Sequence, residues 1–227
     1  MNQKFLLMVL IAISTSSLFS STGIYKKPRG TLHAITGSMW SGKSEETIQL
    51  SLKLMRAKHE VLTLKPGIDN RKLQLKDDQD PTKVLSSRAG TCIECIPVSS
   101  VGHLEEILEK KDPSHIVIDE VHFFTPESKD FVALMVALLH EDKQIIVSGL
   151  DLNFRGEPFG PMPELLAHAD SVKKLTANCA KCNEDTYCIS QRLVNGKPAR
   201  YDDPLIVVGA AELYEPRCRS CHECPKE

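Results

Sequence analysis

The sequence carries almost no net charge and has no apolar run long enough for a membrane. Its 28 Lys and Arg stand against 30 Asp and Glu, a formal charge of -2. It therefore lacks the basic field on which non-specific DNA or RNA binding depends, and nucleic acid is not an expected partner. The N-terminal apolar run from Phe5 to Ile13 is too short to cross a bilayer as a helix, so no membrane partner is expected either. No internal repeat is visible, which excludes a repeat array. Cysteine is scarce until the end, where six of the eight fall in the last 49 residues, mostly in C-x-x-C spacing. Such clustering favours a metal over disulfides.

With 227 residues and 41% hydrophobic content, the chain can bury one good core and a small satellite unit. Residues 1–20, MNQKFLLMVLIAISTSSLFS, have Lys4, an apolar run and then small residues, the layout of an export signal. The stretch lacks the arginines of organelle-targeting peptides. From Thr31 onward short apolar runs alternate with helical periodicity. TLHAIT, VLTLKP, HIVIDE and QIIVSGLD read as strands, near-continuously apolar as strands covered on both faces are. Ile48, Leu52 and Met55 share one helix face, Leu104, Ile107 and Leu108 another, and residues 131–139 form a further helix. Strand and helix in alternation predict a parallel sheet with right-handed crossovers. KDDQDPTK (76–83) is expected to be a polar loop. After Leu175 the periodicity gives way to Cys, Gly and Pro, which places a boundary near residue 176.

Gly37, Gly42, Lys43 and Ser44 satisfy G-x-x-x-x-G-K-[ST], in the segment GSMWSGKS between a predicted strand and a predicted helix. Glycines let backbone amides curl around phosphates, Lys43 reaches the β- and γ-phosphates, and the Ser44 hydroxyl suits Mg²⁺. The positive end of the following helix points at the same anion. HIVIDEVHFF ends a predicted strand in Asp119 and Glu120, at the edge where open α/β sheets bind ligands. Asp119 suits the Mg²⁺ shell, and Glu120 the role of general base or water-positioning group. In the tail, Cys179-x-x-Cys182 and Cys218-x-x-Cys221 lie 35 residues apart. Two thiolate pairs suit a closed tetrahedral zinc site. Cys188, His222 and Cys224 are further candidates, and His222 or Cys224 can replace Cys221. Cys92 and Cys95 read as buried or incidental thiols.

The phosphate loop with Met39, then DEVHFF, then GLDLNFRGEPFG (149–160), then the split cysteines occur in this order and with these gaps. Together they resemble the type II thymidine kinases, the zinc-containing family with a phosphate-binding P-loop, from about Lys26 to His222. The resemblance implies a P-loop NTPase-like α/β fold, a parallel sheet flanked by helices, with a small C-terminal zinc-binding domain and lasso loop. The division it suggests is 1–25 as a leader or mis-assigned extension, 26–175 as the kinase domain and 176–227 as the zinc and lasso domain. It implies a cytoplasmic homotetramer that phosphorylates thymidine with ATP and Mg²⁺. A cytoplasmic enzyme conflicts with the signal-like residues 1–20, and the family reading makes them a wrong start or an unprocessed extension.

Residue by residue, the resemblance puts Glu120 on the catalytic base. Gly37, Ser38, Met39, Trp40, Ser41, Gly42, Lys43, Ser44 and Asp119 fall on the ATP site, and Asp69, Arg71 and Arg88 near the phosphates. Met39, Phe123, Phe154, Phe159, Ser190, Val207, Gly209 and Tyr214 fall on the nucleoside pocket. Ser38 and Trp40 replace the more usual proline and phenylalanine, Ala210 a frequent glycine, and Ser190 a usual threonine. The alternative reading is a nucleic-acid-dependent P-loop ATPase whose zinc module grips DNA or RNA. It calls for a basic cluster and motor motifs that the sequence does not show. Kinases of other deoxynucleosides mostly lack the zinc tail, and an inactive binder does not fit intact Lys43, Ser44, Asp119 and Glu120.

Overall fold

Residues 30–69, 80–207 and 213–226 are described by the computed structural model. In chain order come β1 (Thr31–Thr36), α1 (Lys43–Arg56), β2 (Val61–Pro66), the short strands β3 (Val84–Ser86) and β4 (Cys92–Glu94), β5 (Ile96–Val98), α2 (Val101–Lys111) and β6 (His115–Ile118). A 3-10 stretch, Val121–Glu127, leads into α3 (Ser128–His140), β7 (Gln144–Gly149), α4 (Met162–His168) and β8 (Ser171–Lys174). Six strands form one sheet in the order β5-β2-β6-β7-β1-β8. Every neighbouring pair in it is parallel. The later strands β9 (Ala177–Asn178), β10 (Asp185–Thr186), β11 (Cys188–Val194), β12 (Lys197–Pro198) and β13 (Tyr214–Cys218) make two small antiparallel sheets, β10-β9 and β12-β11-β13.

The absence of polar alternation in β6 follows from its position. Ile116, Val117 and Ile118 are consecutive and fully buried, as expected for a strand with helices over both faces. On one side α3 supplies Phe131, Val132, Met135 and Leu138 to the main core, and α2 supplies Val101, Leu104 and Leu108. The α2 helix starts where the Ser100 side chain accepts the His103 N–H at 3.1 Å, satisfying one of the amide donors that a helix start leaves without a partner. A second small core of Ile48, Leu85, Ile93 and Cys95 joins α1 to the β3–β4 hairpin.

One expectation is corrected. Met55 does not complete the buried face of α1, since it is 38% exposed; Thr47 and Ser51 are buried there instead, each donating its hydroxyl to the carbonyl four residues earlier. Of the pair read as buried or incidental thiols, Cys95 is buried and Cys92 is exposed on the hairpin. Of the 76–83 segment, residues 76–79 lie outside the described residues, and Pro81–Lys83 form a 3-10 turn capped by the Asp80 side chain.

The strand order positions the site. β7 separates β1 from β6, so the loop after β1 and the carboxylates after β6 emerge at the same sheet edge about 10 Å apart, two strand spacings. Ser148, near the end of β7, fills the interval.

Candidate active site

The loop from Gly37 to Gly42 turns through positive φ at Gly37 (+144°), Trp40 (+69°) and Gly42 (+87°). A Cβ on Gly37 would lie 2.7 Å from the Leu175 carbonyl oxygen, so only glycine fits that turn. Trp40 is the exception, a bulky residue in left-handed backbone that costs about 1–2 kcal/mol. Inside the loop the Lys43 ammonium donates to the Ser38 carbonyl at 2.8 Å, and the Ser41 hydroxyl donates to the same oxygen at 2.8 Å. Two contacts tie the loop to the C-terminal sheet. The Met39 N–H donates to Ser190 Oγ on β11 at 2.9 Å, and Trp40 Nε1 donates to the Tyr214 carbonyl of β13 at 3.1 Å.

Asp119 is fully buried just past β6. One of its oxygens accepts the Ser44 hydroxyl at 3.1 Å and the other accepts the Ser148 hydroxyl. Ser44 and Asp119 therefore converge on one spot beside the loop, a hard-oxygen pair of the type that takes Mg²⁺. Glu120 follows in left-handed backbone (φ +53°) and is 5% exposed. Its Oε2 lies 3.4 Å from His122 Nδ1, which accepts the Leu150 N–H at 3.2 Å. The His122 ring packs on Phe123 and Phe159, with centroids 4.3 and 4.9 Å away.

Many of these groups border one cavity of about 490 Å³. Met39, Trp40, Gly42, Lys43, Ser44, Asp69 and Arg88 line it, as do Glu120, Phe123, Phe154, Phe159, Ser190, Val207 and Tyr214. Gly37, Ser38, Ser41 and Asp119 do not line it, and Ser38 and Asp119 are buried behind the lining residues. Arg71 and Gly209 lie outside the described residues. Asp69 is 3.4 Å from the buried Lys65 ammonium, which also donates to the Pro81 carbonyl. Burial pushes the Tyr214 phenol up from its ordinary pKa, with Arg192 nearby pulling the other way.

The tail cysteines meet as well. The sulfurs of Cys179, Cys182, Cys218 and Cys221 all lie within 4.8 Å of one another. Those of Cys182 and Cys218 are 3.8 Å apart, the edge of a tetrahedron with Zn–S bonds of about 2.3 Å, which is about 3.8 Å. The four can hold a structural zinc. His222 is turned away, its Nε2 hydrogen-bonded to the Phe154 carbonyl at 2.8 Å, and Cys224 is outside the cluster. Cys188 donates to the Ala177 carbonyl, and burial pushes its thiol up to about 11. Burial likewise pushes Cys95 up to about 12, so neither readily offers a thiolate.

A model of the thymidine kinase family matches residues 30–222. The chain belongs to the thymidine kinase family. Among solved structures, the flagellar accessory protein FlaH from Methanocaldococcus jannaschii is similar over 71% of this chain and 77% of its own, at 16% identity and a TM-score of 0.45. Domain III of the Thermotoga maritima replication initiation protein DnaA aligns over 65% of this chain and 55% of its own, at 18% identity and a TM-score of 0.41. The family membership makes this chain a kinase-type, nucleotide-binding protein. Among the described residues no helix is long and apolar enough to cross a membrane.

In this thymidine kinase family member the cavity also takes in His122, Leu150, Asn153, Leu205 and Ile206, which the sequence reading did not single out. His122 stands inside DEVHFF, two residues after Glu120, and that proximity to a carboxylate was the one available signal. Behind the aromatic wall, the Arg155 and Arg192 guanidiniums each lie 5.4 Å from the Phe154 ring centroid. Arg155 also donates to the Asp203 carbonyl and Arg192 to that of Pro204, which fixes the approach to Leu205–Val207. At Gly160, φ is +55° and a Cβ would lie 2.7 Å from the His122 carbonyl oxygen. Gly160→Ala is expected to cost about 2–4 kcal/mol, read as a lowered unfolding midpoint in denaturant with a displaced DEVHFF segment.

Proposed function

We propose that this chain transfers the γ-phosphoryl group of ATP to the 5′-hydroxyl of thymidine, in pyrimidine deoxynucleoside salvage for DNA precursor synthesis. One observation carries the reading: the phosphate loop, Glu120 and the aromatic side chains Phe123, Phe154 and Phe159 all line a single cavity. The loop amides and Lys43 take the phosphates, Asp69 and Arg88 line the same cavity, and the resemblance adds Arg71 to the phosphate contacts. Ser44 and Asp119 are the residues that would hold Mg²⁺, which offsets phosphate charge when bound with ATP.

Met39, Phe123, Phe154 and Phe159 enclose the base. A neutral pyrimidine gains from stacking and burial there, while a few polar contacts select its edge. Ser190, Val207, Gly209 and Tyr214 supply that edge recognition on this reading. Glu120 takes the hydroxyl proton as the oxygen attacks in line, and Lys43 stabilises the charge on the transferring group. Zinc at Cys179, Cys182, Cys218 and Cys221 acts as a structural cross-link. The same reading assigns residues 26–175 to the kinase unit and 176–227 to the zinc and lasso unit, and makes the protein a cytoplasmic homotetramer.

The test is formation of nucleoside monophosphate by the full chain with ATP and Mg²⁺ from thymidine, deoxyuridine, deoxycytidine and deoxyguanosine. Thymidine is expected to be phosphorylated, and deoxycytidine and deoxyguanosine at a kcat/KM lower by at least about 10²-fold, because a mismatched edge leaves buried polar groups unpaired. Product from none of the four, with ATP still bound, overturns the proposal.

A further inference from the structure

Arg88 and Trp40 come from different parts of the chain, the turn between β3 and β4 and the phosphate loop. Yet the Arg88 guanidinium carbon lies 3.1 Å from the centroid of the Trp40 ring. The indole is also fixed at its edge, where Nε1 donates to the Tyr214 carbonyl at 3.1 Å. Its backbone sits at φ +69°, a conformation that a bulky residue keeps only where the surroundings over-determine it. Burial does not explain its place, because Trp40 remains 50% exposed. It lines the cavity next to Lys43 and Ser44 instead.

A guanidinium stacked on an indole gives its face to the ring and directs its planar fork of N–H groups sideways, toward oxygen acceptors. We propose that Trp40 is a positioning residue for Arg88: the indole holds the guanidinium plane so that its N–H fork faces the ATP phosphates. Tryptophan is the best partner for such a stack. The bond to Tyr214 makes the arrangement depend on β13, so the C-terminal sheet helps to place a cation at the ATP end. This rests on the kinase reading only in taking ATP as the anion.

The experiment uses the full chain and measures ATP binding by calorimetry, alongside KM for ATP and for thymidine. Trp40→Leu is expected to weaken ATP binding by about 5- to 30-fold, with thymidine KM within about twofold. Trp40→Phe keeps a ring for the stack and is expected to stay within about threefold of the parent. Combining Trp40→Leu with Arg88→Met should cost little more than the worse single change, since both remove one interaction. Overturning results are ATP binding by Trp40→Leu within about twofold of the parent, losses that multiply in the double variant, or a thymidine KM that rises in step with that for ATP. Should Trp40→Leu fail to fold, the emission of Trp40, the chain's single tryptophan, carries the test. Arg88→Met is expected to change that emission in the nucleotide-free protein, and an unchanged spectrum overturns the contact. Calorimetry needs no turnover. A chain that binds ATP but phosphorylates no nucleoside refutes the kinase reading and leaves the Trp40–Arg88 test standing.

Discussion

Glu120→Gln is expected to slow phosphoryl transfer from ATP to thymidine by about 10²–10⁴-fold, the range that removal of a general base spans. The substitution keeps size and backbone demands, which matters because Glu120 is held at φ +53°, where a β-branched replacement would add strain of its own. It leaves Lys43, Ser44 and Asp119 in place, so ATP binding should change by less than about threefold, as for a residue acting only on the transition state. Single-turnover rapid quench, with both substrates saturating, reads the chemical step directly. A variant that keeps more than a tenth of the parent rate would refute the assignment of Glu120 as the base, and another acceptor for the hydroxyl proton would have to be sought along the cavity wall.

The second large effect concerns the cysteine cluster. Cys218→Ser should abolish stoichiometric metal content and reduce kcat/KM for thymidine by at least about 10²-fold, because small metal-organised units lose their fold with the metal. The path to the cavity is short. Cys218 ends β13 and pairs with Cys188 on β11. The same two strands carry Tyr214 and Ser190, which hold the phosphate loop. His222, next to Cys221, holds the Phe154 carbonyl. Losing the cluster thus releases three contacts around the ligand cavity at once. Cys224→Ser supplies the contrast, since Cys224 lies outside the cluster and its replacement is expected to leave metal content and activity unchanged. Elemental analysis of the two purified variants decides the matter; retained metal in Cys218→Ser would rule out the four-sulfur set.

How much of this was legible beforehand varied with the kind of signal. The strands β1, β2, β6 and β7 announced themselves because burial on both faces favours near-continuous apolar runs. The phosphate loop did so because its glycines are sterically required, as at Gly37. By contrast β8, read from SVKK, left no trace in the pattern. It is an edge strand with all four residues exposed, and nothing selects apolar side chains there. Between Cys221, His222 and Cys224, sequence spacing could not choose. The choice depends on which way the chain turns after Cys218, and that turn sends His222 to Phe154 instead. The Trp40–Arg88 stack and the Ser148–Asp119 contact were likewise out of reach, because the first depends on the β3–β4 hairpin packing against α1 and the second on β7 lying beside β6.

That strand order also has a consequence during synthesis. β1, which carries the phosphate loop, finds its partners only at Gln144 on β7 and Ser171 on β8. At about 5–20 residues per second, the 113 residues between Thr31 and Gln144 take roughly 6–23 s to make. Throughout that interval an apolar strand and its loop wait without a sheet to join. Nucleotide binding is therefore a property the nascent chain acquires late and all at once, and a ribosome that stops short of β7 releases a fragment with an open strand edge and no phosphate site.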